Sequence, residues 1–160
     1  MCYDPNFNSK YQILQEFDEL DFCVGAVHWI DGFAYDHSKK HWNTQNIAHL
    51  YKRYYDVSIQ LANSRWFDGI AHPDAIKCFG LHSKNDLTAQ YEQLAIALYD
   101  ENMYAENNVG VNINYGYRQE WGMNSQLRSI FKKHNVEVRT ASDAHIPFDV
   151  GRYFRKIKDL

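Results

Sequence analysis

The chain has 160 residues, a formal net charge of −3, 45% hydrophobic residues and 16% aromatic ones. Such a composition can bury a core as one domain and excludes disorder, and it supplies no basic field for a phosphate backbone, so nucleic acid is not an expected partner. Cys2, Cys23 and Cys78 lie far apart without a CxxC pair and read as reduced thiols. The longest apolar run, FCVGAVHWI, is nine residues, too short to span a bilayer, so no membrane partner and a cytoplasmic location are expected.

Short apolar runs alternate along the chain with longer helical patterns. Phe22 to Ile30 is predicted as a buried strand, followed by the polar loop DGFAYDHSKKHWN. A helix is predicted over Thr44 to Ser64, with Ile47, Tyr51, Tyr54, Ser58 and Leu61 on one face. Phe67 to His72 is a second strand, and Asp86 to Glu101 a second helix, with Asn102 as its stop. Met103 to Asn108 reads as a third strand, then an irregular aromatic loop through Gly122, a helix from Asn124 to Lys133 and a strand from Val136 to Ser142. A last helix is predicted from Pro147 to Lys156, and the basic cluster RYFRKIK within this region has the spacing of a solvated helix face.

Repeated strand and helix units predict a parallel α/β sheet or barrel, with chemistry at the C-terminal ends of the strands. All four predicted strand ends carry ligand-type side chains: His28, then His72 and Asp74, then Glu106 and Asn108, then Asp143 and His145. Any one of these has a structural explanation; AHPD alone is a turn with an aspartate cap. Four on one rim point instead to a metal site. Imidazole and carboxylate form the mixed ligand set of zinc, iron or manganese, and a bound metal supplies hydroxide near neutral pH and polarises the group under attack. His37, His41, His49, His82 and His134 stand in polar or lysine-containing surroundings and read as surface residues.

The runs VGAVHWIDG, WFDGIAHPDAIKCFG and ASDAHIPFDVG, in this order and spacing, resemble successive motifs of the PHP (polymerase and histidinol phosphatase) superfamily, in its histidinol-phosphatase-like branch. The resemblance extends from about Lys10 to Gly151. It implies a distorted seven-stranded β/α barrel, a TIM-like fold, binding up to three divalent ions (zinc, manganese or iron) and hydrolysing a small phosphorylated substrate, with L-histidinol phosphate the first candidate. Carried over, it makes His28 and His72 ligands of one metal and Asp143 and His145 ligands of two different ones, and it makes Arg118 a bidentate clamp on substrate phosphate. On the residues alone, Arg118 is equally a surface partner of Glu120.

The chain departs from the family pattern at its start, where relatives carry an HxH motif, further histidines and a metal-bridging glutamate. The opening MCYDP resembles the stretch directly after that glutamate. Residues 1–160 are therefore expected to form a single partial PHP domain, the C-terminal portion of the barrel, with fewer metals than a complete one. Two functions remain open: a metal-dependent phosphoesterase, or a non-catalytic remnant or complementing half-barrel. Self-association near Val24, Ala26 and Val27, or a complementing N-terminal segment, is expected to cover the strand edge left open.

Overall fold

The computed structural model describes residues 1–16 and 20–158. A short helix, α1 (Asn8–Tyr11), precedes strand β1 (Val24–Gly25). The predicted strand Phe22 to Ile30 does not continue as one element. After an isolated parallel bridge between Ala26 and Cys2, the chain turns into an antiparallel hairpin of β2 (Trp29–Ile30) and β3 (Phe33–Ala34). The cause lies in Asp31 and Gly32, with φ of 50° and 82°. Two adjacent left-handed residues make the turn that Asp-Gly favours between hairpin strands.

Helix α2 (Ile47–Asn63) starts where Asn46 Oδ1 accepts the His49 N–H at 3.1 Å, and it buries Leu50, Tyr51, Tyr54, Tyr55, Leu61 and Ala62. Strand β4 (Gly69–Ile70) leads through the His72–Asp74 turn to helix α3 (Thr88–Asp100), then to β5 (Tyr104–Asn108), the short helix α4 (Gly110–Asn114), helix α5 (Ser125–Lys133) and β6 (Val138–Ala141). Helices α3 and α5 end by one device. Asn102 and Asn135 adopt φ of 53° and 57°, and the next residue donates its N–H to a carbonyl five residues back: Met103 to Leu98 at 2.8 Å, Val136 to Phe131 at 2.9 Å. This left-handed cap turns the chain straight into the following strand, so the Asn102 stop is as expected.

The sheet order is β1-β4-β5-β6, every pairing parallel, with Val24 opposite Gly69, Ile70 opposite Ala105, and Glu106 opposite Arg139. Tyr3 N–H donates to the Ala26 carbonyl at 2.7 Å, and Ala26 N–H donates to the Met1 carbonyl at 2.8 Å. The first residues thus cover the β1 edge, and Ala26 and Val27 are buried rather than open for self-association. Among the described residues the sheet has four strands and is not closed, so the parallel α/β arrangement is present without a seven-stranded barrel. The core lies between the sheet and helices α2, α3 and α5. There Leu61, Leu94, Leu98 and Phe131 are fully enclosed, each worth about 1.5–3 kcal/mol relative to exposure.

Two further expectations change. The aromatic loop contains α4, and the predicted C-terminal helix is divided into a single 3-10 turn, Pro147–Asp149, and helix α6 (Phe154–Ile157). Gly151 and Tyr153, with φ of 72° and 65°, interrupt the helical path. Among the described residues no helix is long and apolar enough to cross a membrane.

Candidate metal centre

The rim at the C-terminal ends of β1, β4 and β6 gathers His28, His72 and Asp143 around one cavity of about 20 Å³, joined by Tyr35, Asp36 and Tyr115. That volume suits a single water or ion. The imidazoles of His28 and His72 meet edge to face with centroids 5.1 Å apart. His72 is buried, and its Nδ1 has no hydrogen-bond partner among the described residues; Asp36 Oδ1, on the same cavity, is likewise enclosed without a hydrogen bond and lies 3.9 Å from His37 Nε2. Buried polar atoms without partners are uncommon, and a ligand is one way to satisfy them.

Burial pushes the His28 pKa down. Burial, reinforced by the neighbouring His28, does the same to His72. Both rings are therefore neutral near pH 7, the form that offers a lone pair to a cation. Burial raises the Glu106 carboxyl, whose Oε2 accepts from the His72 backbone N–H at 3.2 Å and from Asn108 Nδ2 at 2.7 Å. Glu106 thus holds the backbone that presents His72.

Two tyrosines support the same backbone segments. Tyr35 Oη donates to the Val27 carbonyl at 2.9 Å, next to His28, and Tyr54 Oη donates to the His72 carbonyl at 3.1 Å. The rings of Tyr35, Tyr54, Tyr55 and Tyr91 continue inward edge to face, tying the rim to the core. His72 and Asp143 adopt φ of 32° and 48°, left-handed conformations that cost a non-glycine residue energy and that cluster at functional sites. Asp143 is further fixed by Gly110: a Cβ there would lie 2.5 Å from Asp143 Cβ and 2.6 Å from Oδ2. Only a glycine permits so close an approach.

The other sequence-predicted residues lie apart from the cavity. His145 is 72% exposed at its side chain, with Nε2 3.9 Å from Asp143 Oδ1. Arg118 Nη1 donates to the carbonyls of Asn112 and Tyr117, and its guanidinium lies 5.4 Å from the Trp121 ring centroid and 5.8 Å from that of Tyr153. It does not pair with Glu120, which is held by Lys77. Asp74 is also a structural residue: its Oδ2 lies 2.7 Å from Lys77 Nζ and accepts the Asn124 N–H at 2.6 Å. Asn108 Oδ1 accepts the Gly110 N–H at 2.6 Å.

The donor chemistry fits a divalent cation, two neutral imidazoles beside a carboxylate with an orphaned ring nitrogen. The arrangement is nevertheless incomplete, because among the described residues no group of three or more His, Cys, Asp or Glu is disposed to hold a metal ion. Sequence reasoning missed Tyr35, Asp36 and Gly110. The Asp31-Gly32 hairpin signal would have brought Tyr35 and Asp36 back beside His28.

No protein-family model matches the chain. It is similar to the probable histidinol-phosphatase of Deinococcus radiodurans, with 26% identity over 156 residues, covering 93% of this chain and 56% of that protein. Its fold is similar to that of the histidinol phosphate phosphatase of Lactococcus lactis, solved in complex with zinc, L-histidinol and phosphate. The TM-score is 0.65 and the identity 15%, covering 99% of this chain and 64% of that one. The resemblance to the histidinol-phosphatase-like branch is thereby supported in sequence and in fold, and the chain spans less than two thirds of the length of either relative.

Proposed function

We propose that the chain serves as the His28, His72 and Asp143 face of a metal-dependent phosphoesterase of the histidinol-phosphatase type, hydrolysing a phosphate monoester such as L-histidinol phosphate on a PHP-type barrel. The observation that carries the reading is the pair of neutral imidazoles, His28 half-buried and His72 buried with an unpartnered Nδ1, at the rim where parallel strands end. His28 and His72 would hold one divalent ion, zinc, manganese or iron, while Asp143, and His145 after a side-chain rotation, would reach neighbouring ones. A bound divalent ion supplies charge stabilisation for the phosphoryl oxygens and lowers the pKa of water. Tyr35 and Tyr54 keep the two histidine backbones in register, Glu106 anchors the His72 N–H, and Gly110 fixes the Asp143 carboxylate. Arg118 would orient substrate phosphate through the N–H groups not engaged on the Asn112 and Tyr117 carbonyls.

A second reading, a complementing half-barrel that acquires activity only with another segment, is favoured by the lack of three converging donors among the described residues. One experiment tests both. Phosphate release from L-histidinol phosphate is measured with added zinc or manganese, for the chain alone and for the chain co-expressed with the unmatched part of the Deinococcus relative. Release abolished by His72→Ala supports the phosphoesterase; release only from the co-expressed pair selects the complementing half. A folded preparation that releases no phosphate in either form contradicts both.

A further inference from the structure

A second site lies on the opposite face of the sheet. Successive strand residues point to opposite faces, so Glu106 reaches the candidate metal centre while Asn107 and its partner Thr140 line a groove of about 450 Å³ beneath α5 and α6. Three cations border it: Arg128 and Lys132, four residues apart on α5, and Lys158 just after α6. Arg128 is half-buried, and its Nη1 is enclosed without a hydrogen-bond partner. Among the described residues none of the three has an ion-pair partner and no carboxylate lines the groove, although the chain as a whole is acidic.

Like charges one helical turn apart repel, and an enclosed guanidinium N–H favours an acceptor, so an anion in the groove would relieve both. The sequence pattern of RYFRKIK suggested only a solvated helix face. Instead Ile157 is buried, and its carbonyl accepts from Asn107 Nδ2 at 3.3 Å, which sets Lys158 at the groove beside α5. We infer that this groove binds a small phosphate-bearing molecule, with the Arg128 guanidinium and the two ammonium groups on the phosphate and with Val138 and Ile157 against its organic part. Guanidinium geometry matches phosphate oxygens, and the volume suits a metabolite-sized ligand.

The test titrates the full chain, treated with chelator to remove metal, with inorganic phosphate and separately with phenyl phosphate at low salt, following backbone amide shifts. Saturable shifts at Arg128, Lys132, Thr140 and Lys158 are expected, tighter for phenyl phosphate because it adds apolar contact. Arg128→Met with Lys132→Met should weaken binding by at least about tenfold while leaving the apo protein as stable as the parent or more so, since the repulsion is gone. Arg155→Met with Lys156→Met, an equal change of charge away from the groove, should leave affinity within about twofold. Absence of saturable shifts at the groove would overturn the inference, as would equal weakening by both double variants, which would mark a diffuse field instead of a site.

Discussion

Removing the ammonium of the buried Lys77 should destabilise the protein more than removing a charge from any of its exposed ion pairs. Lys77 is 4% exposed, and its Nζ lies 2.7 Å from Asp74 Oδ2, 2.9 Å from Glu120 Oε2 and 2.6 Å from the Gly122 carbonyl. Three donors meet three acceptors, so the ammonium is fully satisfied. Lys77→Met keeps the stem but leaves the Asp74 carboxylate, 7% exposed, without its cation and the Gly122 carbonyl without a donor. Breaking a buried pair by removing one partner costs about 3–5 kcal/mol. For a chain of this size each kcal/mol lowers Tm by roughly 2–4 °C, so a fall of about 6–20 °C is expected in circular-dichroism melts. The pH dependence has a definite sign. Burial raises the Glu120 pKa, but the Lys77 charge and hydrogen bond outweigh it and hold the carboxyl below its usual value. A depressed carboxyl contributes stability above its unfolded pKa and loses it as pH falls through the folded one. The deficit of Lys77→Met should therefore be largest near neutral pH and shrink in acid. A deficit under about 1 kcal/mol at pH 7, or one that does not change with pH, would refute the reasoning.

Gly110→Ala places a Cβ 2.5 Å from Asp143 Cβ, so Asp143 must shift. The helix-propensity gain of about 1 kcal/mol partly offsets overpacking of about 1–3 kcal/mol, leaving a small stability loss in urea titrations. Displacing a ligand support should nevertheless weaken zinc binding by about 10–100-fold in calorimetric titration; wild-type affinity would count against Asp143 as a ligand. Tyr35→Phe leaves the Val27 carbonyl without its 2.9 Å donor and should cost about 1–3 kcal/mol in chemical denaturation. An unchanged midpoint would mean that the hydroxyl does not hold the His28 segment.

The strand ends were legible because each puts a histidine or carboxylate straight after an apolar run, and that pattern survives in His28, His72 and Asp143. The helices were legible because α2 puts Tyr51, Tyr54, Ser58 and Leu61 on one buried face and Asn102 ends α3. The hairpin at Trp29–Ala34 escaped because a buried apolar run was followed past its Asp31-Gly32 turn. Asp74 and Asp143 could not be told apart by type. Only the chain path shows that one meets Lys77 while the other meets the histidine cavity. Gly110 was invisible for the same reason, since its importance lies in a contact with Asp143 made across the fold.

The claim that His28 and His72 form the core of a metal centre is tested most directly by following histidine ring nitrogens by NMR during a zinc titration. The account predicts that the His28 and His72 rings respond together and at the lowest zinc concentration, ahead of the exposed His37 and His41, and that His72→Ala abolishes the His28 response. Zinc taken up first by the exposed histidines, with the His28 and His72 rings unchanged, would contradict it.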